Sequence, residues 1–351
     1  MLSEKSSKKL NILSFILFIG VMTIHTYNLE VYNIAGDKDI ILVVLETFSH
    51  RFANRVCVPF FFLISGFLFF RNFDFSLLLK KYKSRGKSIL IPYVLWNTIY
   101  YLYYVCCTRI PLIAGVMSGD ERMPVSFSAY VQYVWSGYYT LWFLRELLWF
   151  ILLAPFWYIL LKRRKYYWPE GALILFCLIY LDIIHIPRIK QNIYYILGAY
   201  WGINYRRIID MWKEGNIFVF FHANKRILAG GAVVCFSALV VFGGKYAGQV
   251  WYNCLLFLMI WGAMDFFPCE KEVPWWTKCT FFYYCAHDMV LEAVEKIILI
   301  AGGKSIFMAW IDYIGAPVIT LAILITATWA LEKWMPAIWR VLSGGRGWKH
   351  I

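Results

Sequence analysis

From Val58 to Phe70 the chain reads Val-Pro-Phe-Phe-Phe-Leu-Ile-Ser-Gly-Phe-Leu-Phe-Phe, then meets Arg71 and, shortly after, a lysine-rich segment. An apolar run with no polar face cannot be one side of a helix in water, so it reads as the inner half of a membrane span. The same pattern of long apolar stretches and short polar breaks predicts spans near 11–28, 54–70, 89–107, 139–161, 169–185, 191–204, 227–242, 250–267, 280–300 and 313–331. The expected fold is therefore all-α: a polytopic bundle of ten transmembrane helices in one domain covering 1–351. Residues from Ile40 exceed one perpendicular crossing, so an interfacial stretch is expected before the span that starts near Asn54. The 191–204 segment is short and the 280–300 segment is polar for a span.

Charge placement orients this bundle. Basic residues gather in the alternate breaks: Lys5, Lys8 and Lys9; Arg71, Lys80, Lys81, Lys83, Arg85 and Lys87; Lys162 to Lys165; Arg206 to Arg226; Lys271 and Lys278; and the segment after Lys333. The other breaks hold Lys38, Arg109, Arg122, Arg188, Lys190, Lys245 and Lys304. The excess on one side puts both termini in the cytoplasm. The first apolar segment runs past His25 without a small-residue cleavage site, so it is not expected to be a removed signal peptide.

Composition then narrows the class. Apolar residues make up 61% of the 351, charged residues 16%, and mean hydropathy is +0.59, which excludes an ordinary soluble domain. The net charge of +14 lies in topogenic clusters between apolar runs, so no nucleic-acid partner is expected. The nine cysteines show no CxxC and no histidine partner at ligand spacing; neither a metal site nor a disulfide frame is expected.

Ionisable groups within spans are costly and therefore candidates for function. His25 lies deep in Val21-Met22-Thr23-Ile24-His25-Thr26. Arg55 is at the outer mouth of the second span, one turn from Arg51. Arg145 and Glu146 interrupt the fourth span, and His287 and Asp288 the ninth. Neighbours such as His287 and Asp288 point in different directions on a helix and are not expected to form a dyad with each other. His25, Arg55, Arg145 and His287 share a depth, which suggests one polar cavity lined from four helices. On the inner side, Arg85 and Lys87 belong to a basic cluster able to attract the phosphates of a cytoplasmic donor. The outside segment from Thr108 to Tyr138 suits either a lid or a plain connector carrying an interfacial helix near Tyr130 to Trp135. Trp142 and its aromatic neighbours fit an interfacial belt as well as sugar stacking.

Several of these residues sit in segments that resemble the acyltransferase-3 family of integral membrane acyltransferases. The segments are Val21 to Thr26, the Val58 to Leu68 run, Arg85 through Ile91-Pro92-Tyr93 with Trp96-Asn97, Leu141-Trp142-Phe143-Leu144-Arg145, Tyr195-Ile196-Leu197-Gly198 and Phe281 to His287. The resemblance implies an enzyme of the bacterial-type plasma membrane that moves an acyl group, expected to be acetyl, from cytoplasmic acyl-CoA to a hydroxyl of a surface or lipid-linked glycan. Acetyl-CoA is then a donor substrate, and no tightly bound cofactor is expected. It implies His25 as the essential first-helix histidine and Arg85 as the arginine before the third-helix proline. Arg55 and Arg145 are expected to assist catalysis, Arg85, Lys87 and Ser65 to lie by the donor, and Asn97, Trp142 and His287 by the acceptor. Many family members carry an arginine about three turns before the histidine; here that region holds Asn11 and Ser14. A transporter or flippase of a glycolipid or small metabolite is the alternative, with no inverted repeat to support it.

Overall fold

The computed structural model describes residues 4–35, 38–110, 123–162, 193–204, 250–264 and 272–346. Every regular element among them is a helix. In lipid this is the economical solution, because a helix satisfies its backbone groups within itself. The elements are α1 (Glu4–His25), α2 (Ile40–Phe52), α3 (Val58–Phe70), α4 (Leu78–Arg85), α5 (Ile91–Cys107), α6 (Phe127–Ser136), α7 (Trp142–Leu152), α8 (Ala154–Leu161), α9 (193–204), α10 (Val250–Ala263), α11 (Thr280–Gly302), α12 (Ile306–Trp334) and α13 (Pro336–Leu342). The expected spans 169–185 and 227–242 lie outside the described residues.

Four helical runs among the described residues are long and apolar enough to cross a membrane: Ser6–His25, Ile40–Phe70, Phe75–Cys107 and Ile306–Trp334. A fifth is obtained if Tyr139–Leu152 and Ala154–Leu161, bent by 60°, form one broken span. The bend falls where Pro155, near the start of α8, removes a backbone donor and crowds the preceding turn.

Two expected boundaries change. The stretch before Asn54 is not separated from the span: α2 and α3 form one run of 31 residues through a π turn at Ala53–Cys57. Likewise the basic cluster from Lys80 to Lys87 is not a loop, because α4 continues into α5 through a π turn at Gly86–Leu90. A π turn inserts a residue without ending the helix, so a charged segment can sit in a helix whose hydropathy pattern looks interrupted.

The chain forms two compact units. The first contains 1–24, 47–81 and 150–274. Its centre is the phenylalanine-rich α3, where Phe60 packs edge-on to Phe257 at 5.1 Å and Phe62 to Phe150 at 5.6 Å. Gly66 lies against the Tyr195 carbonyl, and Gly198 against the Leu63 carbonyl, so neither position has room for a methyl group. Small residues facing each other let two helices approach at backbone distance, which explains the pairing of the Ser-Gly-Phe and Tyr-Ile-Leu-Gly motifs. Asn253 donates to the Arg55 carbonyl at 2.7 Å, satisfying a backbone oxygen of the π turn.

The second unit contains 25–46, 82–149 and 275–351. The helices α5, α11 and α12 supply most of its interior. The amphipathic helix α6 begins at Ser126, whose hydroxyl accepts from the Ala129 amide at 3.1 Å. It leaves Phe127, Val131 and Trp135 exposed at spacings of one turn. Such a stripe suits a helix lying at a membrane surface. The described part of the outside segment holds a helix where one was expected near Tyr130 to Trp135.

Candidate functional site

His25 closes α1 and belongs to the second unit. The chain leaves the helix there because the following turn is tied down elsewhere. The Asn28 backbone amide donates to Glu46 Oε2 at 3.0 Å, and its side chain donates to Asp312 Oδ2 at 3.1 Å. A cluster of Leu29, Tyr32, Ile34, Leu42 and Ala309 holds the rest of the turn. The imidazole is fixed in position while 17% of its side chain stays accessible.

Facing it is Asp288 on α11. His25 Nδ1 lies 3.5 Å from Asp288 Oδ1, within ion-pair reach but longer than an ordinary hydrogen bond, and equally 3.5 Å from the Tyr139 hydroxyl. The carboxylate is buried and receives two phenolic donors: Tyr139 to Oδ1 at 2.7 Å and Tyr138 to Oδ2 at 2.5 Å. Burial, and then the Asp288 charge, raise the Tyr138 pKa far above its ordinary value, so this hydroxyl stays a donor. His287 completes the group, its ring centroid 5.3 Å from that of His25. His287 Nδ1 lies 2.7 Å from the Tyr284 carbonyl, which can only accept, so Nδ1 carries a proton there.

The tyrosines are positioned by α5. Tyr93, Asn97, Tyr100 and Tyr104 recur at helical spacing and line one face. Asn97 is fully buried; its Oδ1 accepts from the Tyr138 amide at 2.6 Å, and its Nδ2 donates to the Tyr93 carbonyl at 2.7 Å. Tyr100 stacks on Tyr138 at 3.9 Å, and Tyr104 bonds both Tyr138, at 2.8 Å, and Glu292, at 2.6 Å. Gly137, with φ +75°, makes the turn into Tyr138 where a side chain would strike Tyr93.

The other expected residues are placed as follows. Arg145 donates to the Ser136 carbonyl and, at 3.3 Å, to Glu146. It thereby ties α7 to the end of α6, the segment that carries Tyr138 and Tyr139. Trp142 opens α7 half-buried. Arg55 and Ser65 belong to the first unit, Arg55 exposed on the π turn and Ser65 beside Gly66 on α3. Arg85 ends α4 and Lys87 is exposed on the following π turn.

Arg85 has a neighbour that sequence reasoning missed. Arg346 lies over the Phe281 ring, 4.0 Å from its centroid. Burial lowers its pKa to about 10, and the positive charge of Arg85 contributes second, so the two guanidinium groups are within electrostatic reach. Arg346 remains charged near neutral pH. The C-terminal segment reaches this position because Trp96 Nε1 donates to the Leu342 carbonyl at 3.1 Å and Gly344 packs on the Ser88 carbonyl.

Sequence reasoning also left Asp288 out of the expected site, with Tyr138, Tyr139, Tyr104 and Glu292. Spacing carried the signal: Tyr284, His287, Asp288 and Glu292 form a polar stripe on α11 that matches the stripe on α5.

A histidine beside a hydroxyl-supported carboxylate, with a basic end on the same helical unit, is an arrangement suited to general-base acyl transfer. Residues 8–331 match the acyltransferase domain family, and the chain belongs to this acyltransferase-3 family. It is 23% identical to the succinoglycan biosynthesis protein ExoH of Rhizobium meliloti (strain 1021), over 97% of this chain and 92% of that protein. No solved structure matches the chain.

Proposed function

We propose that this protein is a multi-pass enzyme of a bacterial-type plasma membrane that transfers an acetyl group from cytoplasmic acetyl-CoA to a glycan hydroxyl. In this reading it has ten spans and both termini in the cytoplasm. The observation that carries the proposal is the pairing of His25 Nδ1 with the buried Asp288 carboxylate at 3.5 Å. Asp288 holds the ring so that Nδ1 carries the proton and Nε2 keeps its lone pair. Nε2 then takes the proton of the acceptor hydroxyl as its oxygen attacks the thioester carbonyl. The carbon–sulfur bond breaks and the same proton passes to the departing thiolate. Partial exposure of His25 gives the acceptor its way in.

The basic end supports the donor side. Arg346 covers Phe281, and Asp288 stands further along the same α11 by about 10 Å of helix. A donor with its phosphates at Arg85, Arg346 and Lys87 therefore needs only a short extended arm to bring its thioester toward His25. Charge-assisted bonds of arginine with phosphate are strong and would be made alike in the ground and transition states. Asn97 and Arg145 act in this reading as positioning residues for Tyr138 and Tyr139. The relative named for succinoglycan biosynthesis favours a glycan acceptor.

The test is purified protein in detergent or nanodiscs with acetyl-labelled acetyl-CoA and lipid-linked or surface glycans. Thiol release and label in the glycan fraction are measured together. Label in the glycan that requires His25 supports the reading. Movement of unmodified glycolipid across the bilayer, with no thiol released, would overturn it in favour of transport.

A further inference from the structure

The group around His25 has a second chemical capacity. We infer that His25, His287 and Asp288 form a binding site for a zinc-class divalent cation, and that occupancy of this site switches acyl transfer off. One ligand atom from each of the three residues lies within 4.8 Å of the others. His25 Nδ1 and Asp288 Oδ1 are already 3.5 Å apart. Zinc–nitrogen and zinc–oxygen bonds of about 2.0–2.1 Å place adjacent tetrahedral ligands roughly 3.3 Å apart, so a contraction of at most about 1.5 Å closes the site.

Surroundings of two of the three groups, His287 and Asp288, match those of metal ligands. A ligating histidine characteristically donates its other ring N–H to a carbonyl or carboxylate, and a ligating carboxylate is itself hydrogen-bonded. His287 does the first, through Nδ1 to the Tyr284 carbonyl, which leaves Nε2 as its coordinating atom. Asp288 does the second, through Tyr138 and Tyr139. Two imidazoles and one carboxylate favour a borderline cation such as zinc or cobalt over magnesium or calcium, which prefer all-oxygen sets. The accessible side of His25 leaves a fourth position for water.

The consequence for activity follows from the ring. A cation on His25 Nδ1 uses that lone pair, so the neutral ring carries its proton on Nε2 and cannot accept one from a hydroxyl. This inhibition rests on His25 being the base; the binding itself does not.

The test uses Co²⁺ as a spectroscopic probe on the full-length purified protein, without donor or acceptor. The expected result is one Co²⁺ per chain, with visible absorption of tetrahedral cobalt, no thiolate charge-transfer band, and displacement by Zn²⁺. His287→Ala and the size-conserving His287→Gln should each weaken binding at least tenfold while eluting as folded protein. No cobalt binding by the wild type, binding retained by His25→Ala and His287→Gln, or a thiolate band reporting a cysteine site would each overturn the inference. Because no turnover is needed, failure here leaves the acyl-transfer reading standing, and failure of transfer leaves the cation site standing.

Discussion

Two ends of the second unit hold their charged groups by different means. At the His25 end, a buried carboxylate is fixed by directional bonds: Tyr138 and Tyr139 donate to it, Asn97 locks the Tyr138 backbone, and Tyr100 stacks on the Tyr138 ring. At the Arg85 end, Arg346 rests on an aromatic face and stands near a charge of its own sign. Directional bonding fixes atoms to within fractions of an ångström, which chemistry on a reacting atom requires. Two cations brought together with a ring for support instead favour an anion that joins them, which is the requirement for binding. Under the function proposed above, the first end would act and the second would hold.

The comparison can be broken at its strongest point. His25→Ala should keep the size-exclusion profile of the wild type and lose roughly 10²- to 10⁴-fold in transfer rate, the usual contribution of a general base. Transfer at the wild-type rate would remove His25 from the chemistry. Asp288→Asn keeps the shape but removes the charge that orients the ring; turnover should fall on the order of 10²-fold with donor KM unchanged. Steady-state kinetics at saturating donor would show it. Tyr138→Phe takes one donor from a buried carboxylate. A hydrogen bond to a charged group contributes about 1.5–3 kcal/mol, so a rate loss of about 10- to 100-fold is expected, read from the same assay.

How far the sequence reveals these two ends depends on the separation of their parts. His25 stands out as a candidate because an imidazole in an apolar span is costly, while its expected role comes from the family resemblance. Its partner Asp288 is distant in the chain and adjacent to another candidate, His287. The two point apart on α11, yet His25 approaches from a different helix and meets both. The tyrosine support was hidden for another reason: phenols suit a membrane-interface belt, so Tyr138 and Tyr139 carry no distinctive pattern until Asp288 is placed opposite them. The helical character of the Lys80–Lys87 cluster was illegible because hydropathy falls there while backbone bonding continues through a π turn. Arg346 follows the last apolar run, and only the packing of Leu342 and Gly344 brings it to Arg85. In the first unit the motif glycines were visible as residues, but their reason, the close backbone approach of α3 and α9, was not. Gly198→Ala should force the two helices apart and cost about 1–3 kcal/mol, seen as a lower melting temperature of the purified protein.

The division of labour between the two ends is tested most directly by donor kinetics on Arg346→Ala, measured beside Asp288→Asn in one preparation. The account predicts that Arg346→Ala raises the KM for acetyl-CoA by about tenfold at nearly unchanged kcat, the signature of an interaction that stabilises ground and transition states equally. Asp288→Asn should do the reverse. A fall in kcat with unaltered donor KM for Arg346→Ala would contradict the account, because the basic end would then belong to the chemical step.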